Sequence, residues 1–308
     1  MKVRLVAVVM AVAFSHTPIV HADGLGEFYS RINVNAQSSE EGEGRFTEIR
    51  SNNSWLGVRG DVAIDDDLSV IYRLEWKVDI MQEKGQDNLT ERPQYIGIRS
   101  ENFGEVTIGR NFTPTWAIGR AGDLYNHYEG DVNALWKGDN RLADVVSYTS
   151  PSFNNFHVEA LYQAEKTADG DAAYSGGIFY GDRKLKKTKI YASISHDWDV
   201  KDYNVTRAIT RFNLAGAKIT GIYHTQEPDG GGESRDGYLV NLSYLLGKID
   251  YRLQYQTLED DMTYSIGADY RFTDRFKLYT WYTKIDKEDV EDNSYLAVGF
   301  QYDFVVAY

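Results

Sequence analysis

The residue types that most often carry chemistry are all here, but they do not combine. His157, His196 and His224 fall on separate alternating segments, and none has a nucleophile motif beside it. A hydrolase is therefore not indicated. No histidine has a partner at metal-ligand spacing, cysteine is absent, and no glycine-rich phosphate loop occurs. The sequence implies neither cofactor nor metal and does not read as an enzyme. What it offers instead is charge in register. From Leu68 the chain runs LSVIYRLEWKVDI, which sets Arg73, Glu75, Lys77 and Asp79 on one face and Leu68, Val70, Tyr72, Leu74, Trp76 and Val78 on the other. Side chains ranked in this way can orient and sort charged solutes without any bond being made.

The elements that must position them are long two-sided strands. Tyr251, Leu253 and Tyr255 alternate with Asp250, Arg252, Gln254 and Gln256; Tyr264, Ile266, Ala268, Tyr270 and Phe272 oppose Asp269 and Arg271. Leu296, Val298, Phe300, Tyr302, Phe304, Val306 and Tyr308 repeat the pattern near the end. A soluble sandwich would alternate too, but its strands are shorter, whereas about ten residues is what a tilted strand needs to cross a bilayer. Short turns are expected at 65–67, 101–104, 181–184, 213–216, 246–248 and 273–275, with longer polar stretches at 37–50, 81–91, 111–143, 165–173, 227–236 and 286–293. Short turns alternating with longer loops, with an aromatic at many strand ends, predict an all-β fold: a transmembrane antiparallel β-barrel of about sixteen strands. Closing the sheet satisfies every backbone group in lipid, and a barrel this wide keeps an aqueous lumen.

Composition agrees. The 26% of charged residues leave no helical membrane span, and 23 Tyr, 13 Phe and 6 Trp suit an interfacial sheet. Leu5–Phe14 follows Lys2 and Arg4 and precedes Val20-His21-Ala22, so residues 1–22 are expected to be a signal peptide and 23–308 a single barrel domain. Losing that leader takes the formal charge from −13 to −15. A chain this acidic excludes a nucleic-acid partner and, taken as a total, points to a cation preference.

Several stretches resemble the general porin family of Gram-negative bacteria: Phe28-Tyr29-Ser30-Arg31-Ile32, Ser54-Trp55-Leu56-Gly57-Val58-Arg59-Gly60, Tyr95-Ile96-Gly97-Ile98, Phe103-Gly104-Glu105-Val106-Thr107-Ile108-Gly109-Arg110 with Asn111-Phe112-Thr113-Pro114, and Val146-Ser147-Tyr148-Thr149-Ser150-Pro151. The resemblance implies a homotrimer of outer-membrane pores for passive diffusion of ions and small hydrophilic solutes, in contact with outer-membrane lipids. It also implies that a long third loop folds back into the lumen. That loop would be 111–143, with Asp123, Glu129 and Asp131 lining the constriction and Tyr125-Asn126-His127-Tyr128-Glu129-Gly130-Asp131 resembling the acidic tip. Facing it would stand a basic ladder: Arg110 and Arg141 by motif, Arg31 and Arg59 at positions often basic, and Arg73 beside them. Trp55 occupies a position where the family often has Arg, which shortens the ladder, and the last strand runs on to Tyr308 beyond the usual terminal aromatic. A substrate-selective channel, for a sugar or another nutrient, is the alternative; it would use an aromatic slide, for which Tyr279 and Trp281 are the candidates.

Overall fold

The computed structural model describes residues 26–83, 85–167, 170–288 and 290–307; the expected signal peptide lies outside them. The chain forms β1 (Glu27–Glu40), β2 (Arg45–Ser51), β3 (Trp55–Ala63), β4 (Leu68–Val78), β5 (Leu89–Ser100), β6 (Gly104–Phe112), helix α1 (Pro114–Gly122) and β7 (Arg141–Thr149). There follow β8 (Phe156–Gln163), β9 (Ala173–Tyr180), β10 (Ile190–Trp198), β11 (Tyr203–Leu214), β12 (Ala217–Pro228), β13 (Arg235–Leu246), β14 (Ile249–Leu258), β15 (Asp261–Arg271), β16 (Phe276–Asp286) and β17 (Asn293–Ala307). Apart from β2 and β3, each pairs antiparallel with its neighbour in sequence, and β1 returns to β17 in one unbroken register from Glu27↔Ala307 to Glu40↔Ser294. That last pairing removes both sheet edges.

β2 and β3 share one place in the ring, since β1 pairs with β2 through Val34–Glu40 and with β3 through Glu27–Arg31. The break at Asn52-Asn53-Ser54 is held by β1 itself: the Asn33 amide donates to Ser54 Oγ at 2.9 Å and Asn33 Nδ2 to the Asn52 carbonyl at 3.0 Å. The ring is thus a closed barrel of sixteen strands.

The alternation resolves into two surfaces with the polarity of a soluble protein reversed. Along β14, Tyr251, Leu253 and Tyr255 are exposed while Asp250, Gln254 and Gln256 are buried. Ile96, Ile108 and Val298, each 61% exposed, belong to the same outward band. Apolar outside and polar inside is stable only where the surrounding solvent is lipid. Tight hairpins join strands at one end; between β11 and β12 the two connecting residues, Ala215 and Gly216, both take positive φ (49° and 85°), the twist-matched geometry of a two-residue hairpin.

Two expected connections differ. The polar stretch 37–50 is mostly strand, and only 41–44 connects β1 to β2. Beyond the bilayer, polar residues on both faces cost nothing, so pairing continues where side-chain pattern suggests a loop. The expected turn 181–184 is longer, running from Gly181 to Lys189.

Candidate functional site

The lumen is occupied by the connection between β6 and β7. Thr113 caps α1 by accepting from the Trp116 amide at 3.2 Å, and Pro114 starts the helix where its missing N–H costs nothing. Beyond α1 the segment is stitched to inward-facing side chains of distant strands. Gln254 on β14 accepts from the Leu124 amide at 2.9 Å and donates to Asp123 and to the Gly130 carbonyl at 3.0 Å each. Gln256 donates to the Val132 carbonyl at 2.8 Å, and Trp136 Nε1 donates to the Thr257 carbonyl at 2.7 Å. Apolar contacts complete the docking: Ile118, Tyr125, Tyr128, Val132 and Trp136 form one buried cluster with Ile209, Ile222, Leu239, Tyr279 and Trp281 of the wall. The largest apolar core therefore lies inside the ring, between loop and wall.

A buried ion pair pins the far end. Arg207 on β11 is fully buried and bonds to Asp139, while its Nε donates to His224 Nδ1 at 3.1 Å. Trp136 stacks on the His224 ring at 4.5 Å with an interplanar angle of 9°.

The acidic loop residues are engaged, each in its own way. Asp123 Oδ1 accepts from the Tyr125 amide at 2.8 Å, and Oδ2 from the Val132 amide at 3.1 Å. Asp131 accepts from the His127 amide at 2.7 Å and the Asn133 amide at 2.9 Å. Burial pushes the Asp123 carboxyl up to about 6 and raises Asp131 as well, with the neighbouring carboxylates adding to the rise at Asp131. Glu129 is bonded to Arg50 on β2. His127, held at φ +83° with its ring against Asn53, is driven well below its ordinary value by burial, then by Arg120, Arg92, Arg31 and Arg141.

The basic candidates separate. Arg31 makes two bonds to Asp303 on β17, at 2.6 and 3.0 Å. Arg59 pairs with Glu27 at the end of the barrel where β1 begins and β17 finishes. Arg73 and Arg92 both hold the fully buried Glu75. Arg92 reaches it because β5 bulges: Leu74 faces Gln94 and Trp76 faces Glu91, leaving Arg92 and Pro93 opposite Glu75, and Pro93 has no N–H to miss in the ladder. Arg141 donates to the Glu91 carbonyl at 3.2 Å and covers the Phe112 ring at 5.0 Å. Arg110 falls in the register of outward Ile108 and pairs without a shift with Gln94 on β5; the extra residue of the β6–β7 register shift lies on β7, where Ala143 and Asp144 together face Arg110.

One chamber of about 290 Å³ gathers Arg31, Arg120, Asp123, Arg211, Arg252 and Lys277. Of the expected residues it brings together Arg31 and Asp123; Arg59, Arg73, Arg110, Arg141, Glu129 and Asp131 do not line it. Arg120, Arg211 and Lys277 had no assigned role in the sequence reading. Arg252 stands in the polar register of its strand, where alternation already marks it. Arg120 is carried by the last turn of α1, a helix whose Thr113-Pro114 start is visible in the sequence. Arg252 and Lys277 share Asp269. The Arg120 side chain has no hydrogen-bond or ion-pair partner among the described residues.

A closed ring of strands, apolar outside and charged within, with a connection laid across its inner wall, defines a transmembrane β-barrel of the outer-membrane channel class. The chain belongs to the Gram-negative porin family, whose model matches residues 6–304. Its place is the Gram-negative outer membrane. It is 25% identical over 197 residues to the outer membrane porin protein OmpD of Citrobacter koseri, covering 58% of this chain and 53% of that one. To OmpD of Salmonella typhimurium strain 14028s it is 22% identical over 234 residues, 70% of this chain and 63% of the other. The chain thus spans between half and two thirds of the length of these relatives. Among solved structures, the anion-selective porin from Comamonas acidovorans superposes with a TM-score of 0.72 at 17% identity, covering 90% of this chain and 98% of that one. OmpF of Salmonella typhi gives 0.72 at 13% identity, over 90% and 97%. Family and fold are those of a channel rather than an enzyme.

Proposed function

We propose that the chain forms a water-filled outer-membrane pore for passive diffusion of ions and small hydrophilic solutes, assembled as a homotrimer among outer-membrane lipids, with a preference for anions. The connection 113–140 is its constriction, and Arg31 and Arg141 with the inward arginines beside them are its basic wall. One observation carries the sign of selectivity: in the charged chamber beside the loop, Arg31, Arg252 and Lys277 are ion-paired to Asp303, Asp250 and Asp269, whereas Arg120 and Arg211 are in no ion pair among the described residues and face one loop carboxylate, Asp123. The formal total of −13 argues the other way. Local charge prevails in a narrow lumen, because the potential is strongest where the walls are close and their dielectric is low. One structural neighbour is described as an anion-selective porin and another as a trimer form. The acidic positions Asp123, Glu129 and Asp131 act in this reading as struts of the loop rather than as the negative side of the constriction.

The sugar-channel alternative needs Tyr279 and Trp281 free along the lumen. Both are buried beneath Tyr128, with ring centroids at 4.9 and 5.5 Å. Reversal potential of the purified protein across a planar bilayer in a salt gradient is the test. An anion-over-cation permeability ratio above one is expected, and a ratio below one overturns the preference.

A further inference from the structure

The connection between β9 and β10 is longer than a hairpin end needs and is built inward. Asp182 organises it, accepting from the amides of Lys184 at 2.9 Å, Lys186 at 2.8 Å and Lys187 at 3.2 Å, and donating from its own amide to Thr188 Oγ1 at 2.7 Å. Leu185, at φ +57°, packs on the apolar cluster inside the barrel, the same cluster that docks α1. The Arg183 carbonyl accepts from Arg211 Nη1 at 3.4 Å, and that nitrogen also donates to the Ala121 carbonyl of α1 at 2.8 Å. The turn is thus tied from below to the wall residue that supports the loop helix. Around this anchored frame stand Arg183, Lys184, Lys186, Lys187 and Lys189, all exposed and none in an ion pair among the described residues. By strand order the turn lies at the end where β1 begins and β17 finishes, the short-turn, periplasmic end of such a barrel.

We propose that residues 181–189 form a second selectivity element, a fixed basic collar at the periplasmic mouth that concentrates small anions on that side and makes conduction unequal at opposite voltages. The inference rests on the reading of the chain as an anion-preferring pore and adds a second, separable charge site to it. A chain carrying this much negative charge gathers an unpaired cationic run at a mouth, where fixed charge raises the local concentration of counter-ions. The collar faces open solvent, so its reach is a Debye length, about 10 Å at 0.1 M salt and about 3 Å at 1 M. The chamber at Arg120 lies in the narrow lumen and is screened far less. Salt concentration therefore separates the two.

The test is the variant Lys184→Gln/Lys186→Gln/Lys187→Gln/Lys189→Gln, which keeps Asp182, Arg183 and Leu185 and so keeps the anchor. In 0.1 M salt its anion-over-cation ratio is expected to fall about two- to threefold with loss of the voltage asymmetry. In 1 M salt it should match the parent. The four Lys→Arg changes should leave both properties intact. Should the fourfold variant fail to give a heat-modifiable barrel, Lys184→Gln/Lys186→Gln carries the same test at about half the shift. An unchanged ratio in 0.1 M salt in a conducting parent overturns this inference alone. A parent that passes no current overturns the pore reading and this inference with it.

Discussion

Single charges decide what this lumen does, and Arg120 is the one that alternation could not reveal. It stands on a helix inside a connection, where neither period-two pattern nor motif assigns a face, and the acidic residues of that connection taken alone suggest the opposite sign. Arg252, by contrast, was legible from strand register alone. Replacing Arg120 with Gln removes a unit charge worth about 1 kcal/mol at contact distance in a water-like dielectric, or about fivefold in the anion-over-cation ratio. Arg120→Lys should retain the ratio, and reversal potentials measure both. Asp123 adds a pH dependence whose sign is fixed by its burial. Its folded value of about 6 lies above the ordinary 3.8, so the docked loop takes up a proton before an undocked one would. Loop docking is then strongest below about 4 and weakens as pH rises through 6. The same protonation removes a negative charge beside Arg120. Anion preference should therefore rise as pH falls from 7 to 5, and Asp123→Asn should flatten that rise; a flat profile in the parent would remove Asp123 from the field of the pore.

At the scale of elements the strands were readable because lipid and water enforce a strict alternation, and what escaped was whatever breaks it. The β5 bulge at Arg92-Pro93 re-aims a charge that a period of two misplaces, and a second bulge falls on β7 at Ala143-Asp144. The strand ends at 37–40 and 45–50 escaped because pairing outlasts the apolar pattern. The connection 113–140 was visible as a long polar stretch, but its docking depends on partners more than a hundred residues away, such as Gln254 for Leu124 and Gln256 for Val132. Its firmest anchor is the Arg207–Asp139 pair, and removing one member of such a buried pair costs about 3–5 kcal/mol by leaving the other charge uncompensated. Arg207→Ala is expected to release the far half of the loop, giving larger and noisier single-channel currents. Arg207→Met/Asp139→Asn should recover much of the quiet behaviour. Equal noise in Arg207→Ala and parent recordings would show that the apolar cluster alone holds the loop.

The molecule as a whole is held by closure. Its outer band is apolar, its interior polar, and its one large apolar cluster exists only because the loop is inside; none of these faces is stable unless the ring is complete and surrounded by lipid. The seam is β1 against β17, where Phe28 pairs with Val306, Ser30 with Phe304 and Ile32 with Tyr302, and where Arg31 binds Asp303 across the junction. Removing residues 302–308 would strip partners from Glu27–Ile32 along one edge of β1 and leave the Arg31 guanidinium without its carboxylate. Each backbone group left unpaired in hydrocarbon costs several kcal/mol, against a total margin of about 5–15 kcal/mol for a folded domain. The truncated chain is therefore expected to lose both the barrel and its trimer, and to migrate identically with and without heating on a denaturing gel. Tyr302→Leu, which keeps every backbone bond of the seam, should preserve a heat-modifiable band. A truncated chain that still ran as heat-modifiable trimers would mean that the remaining β17 pairing closes the ring unaided.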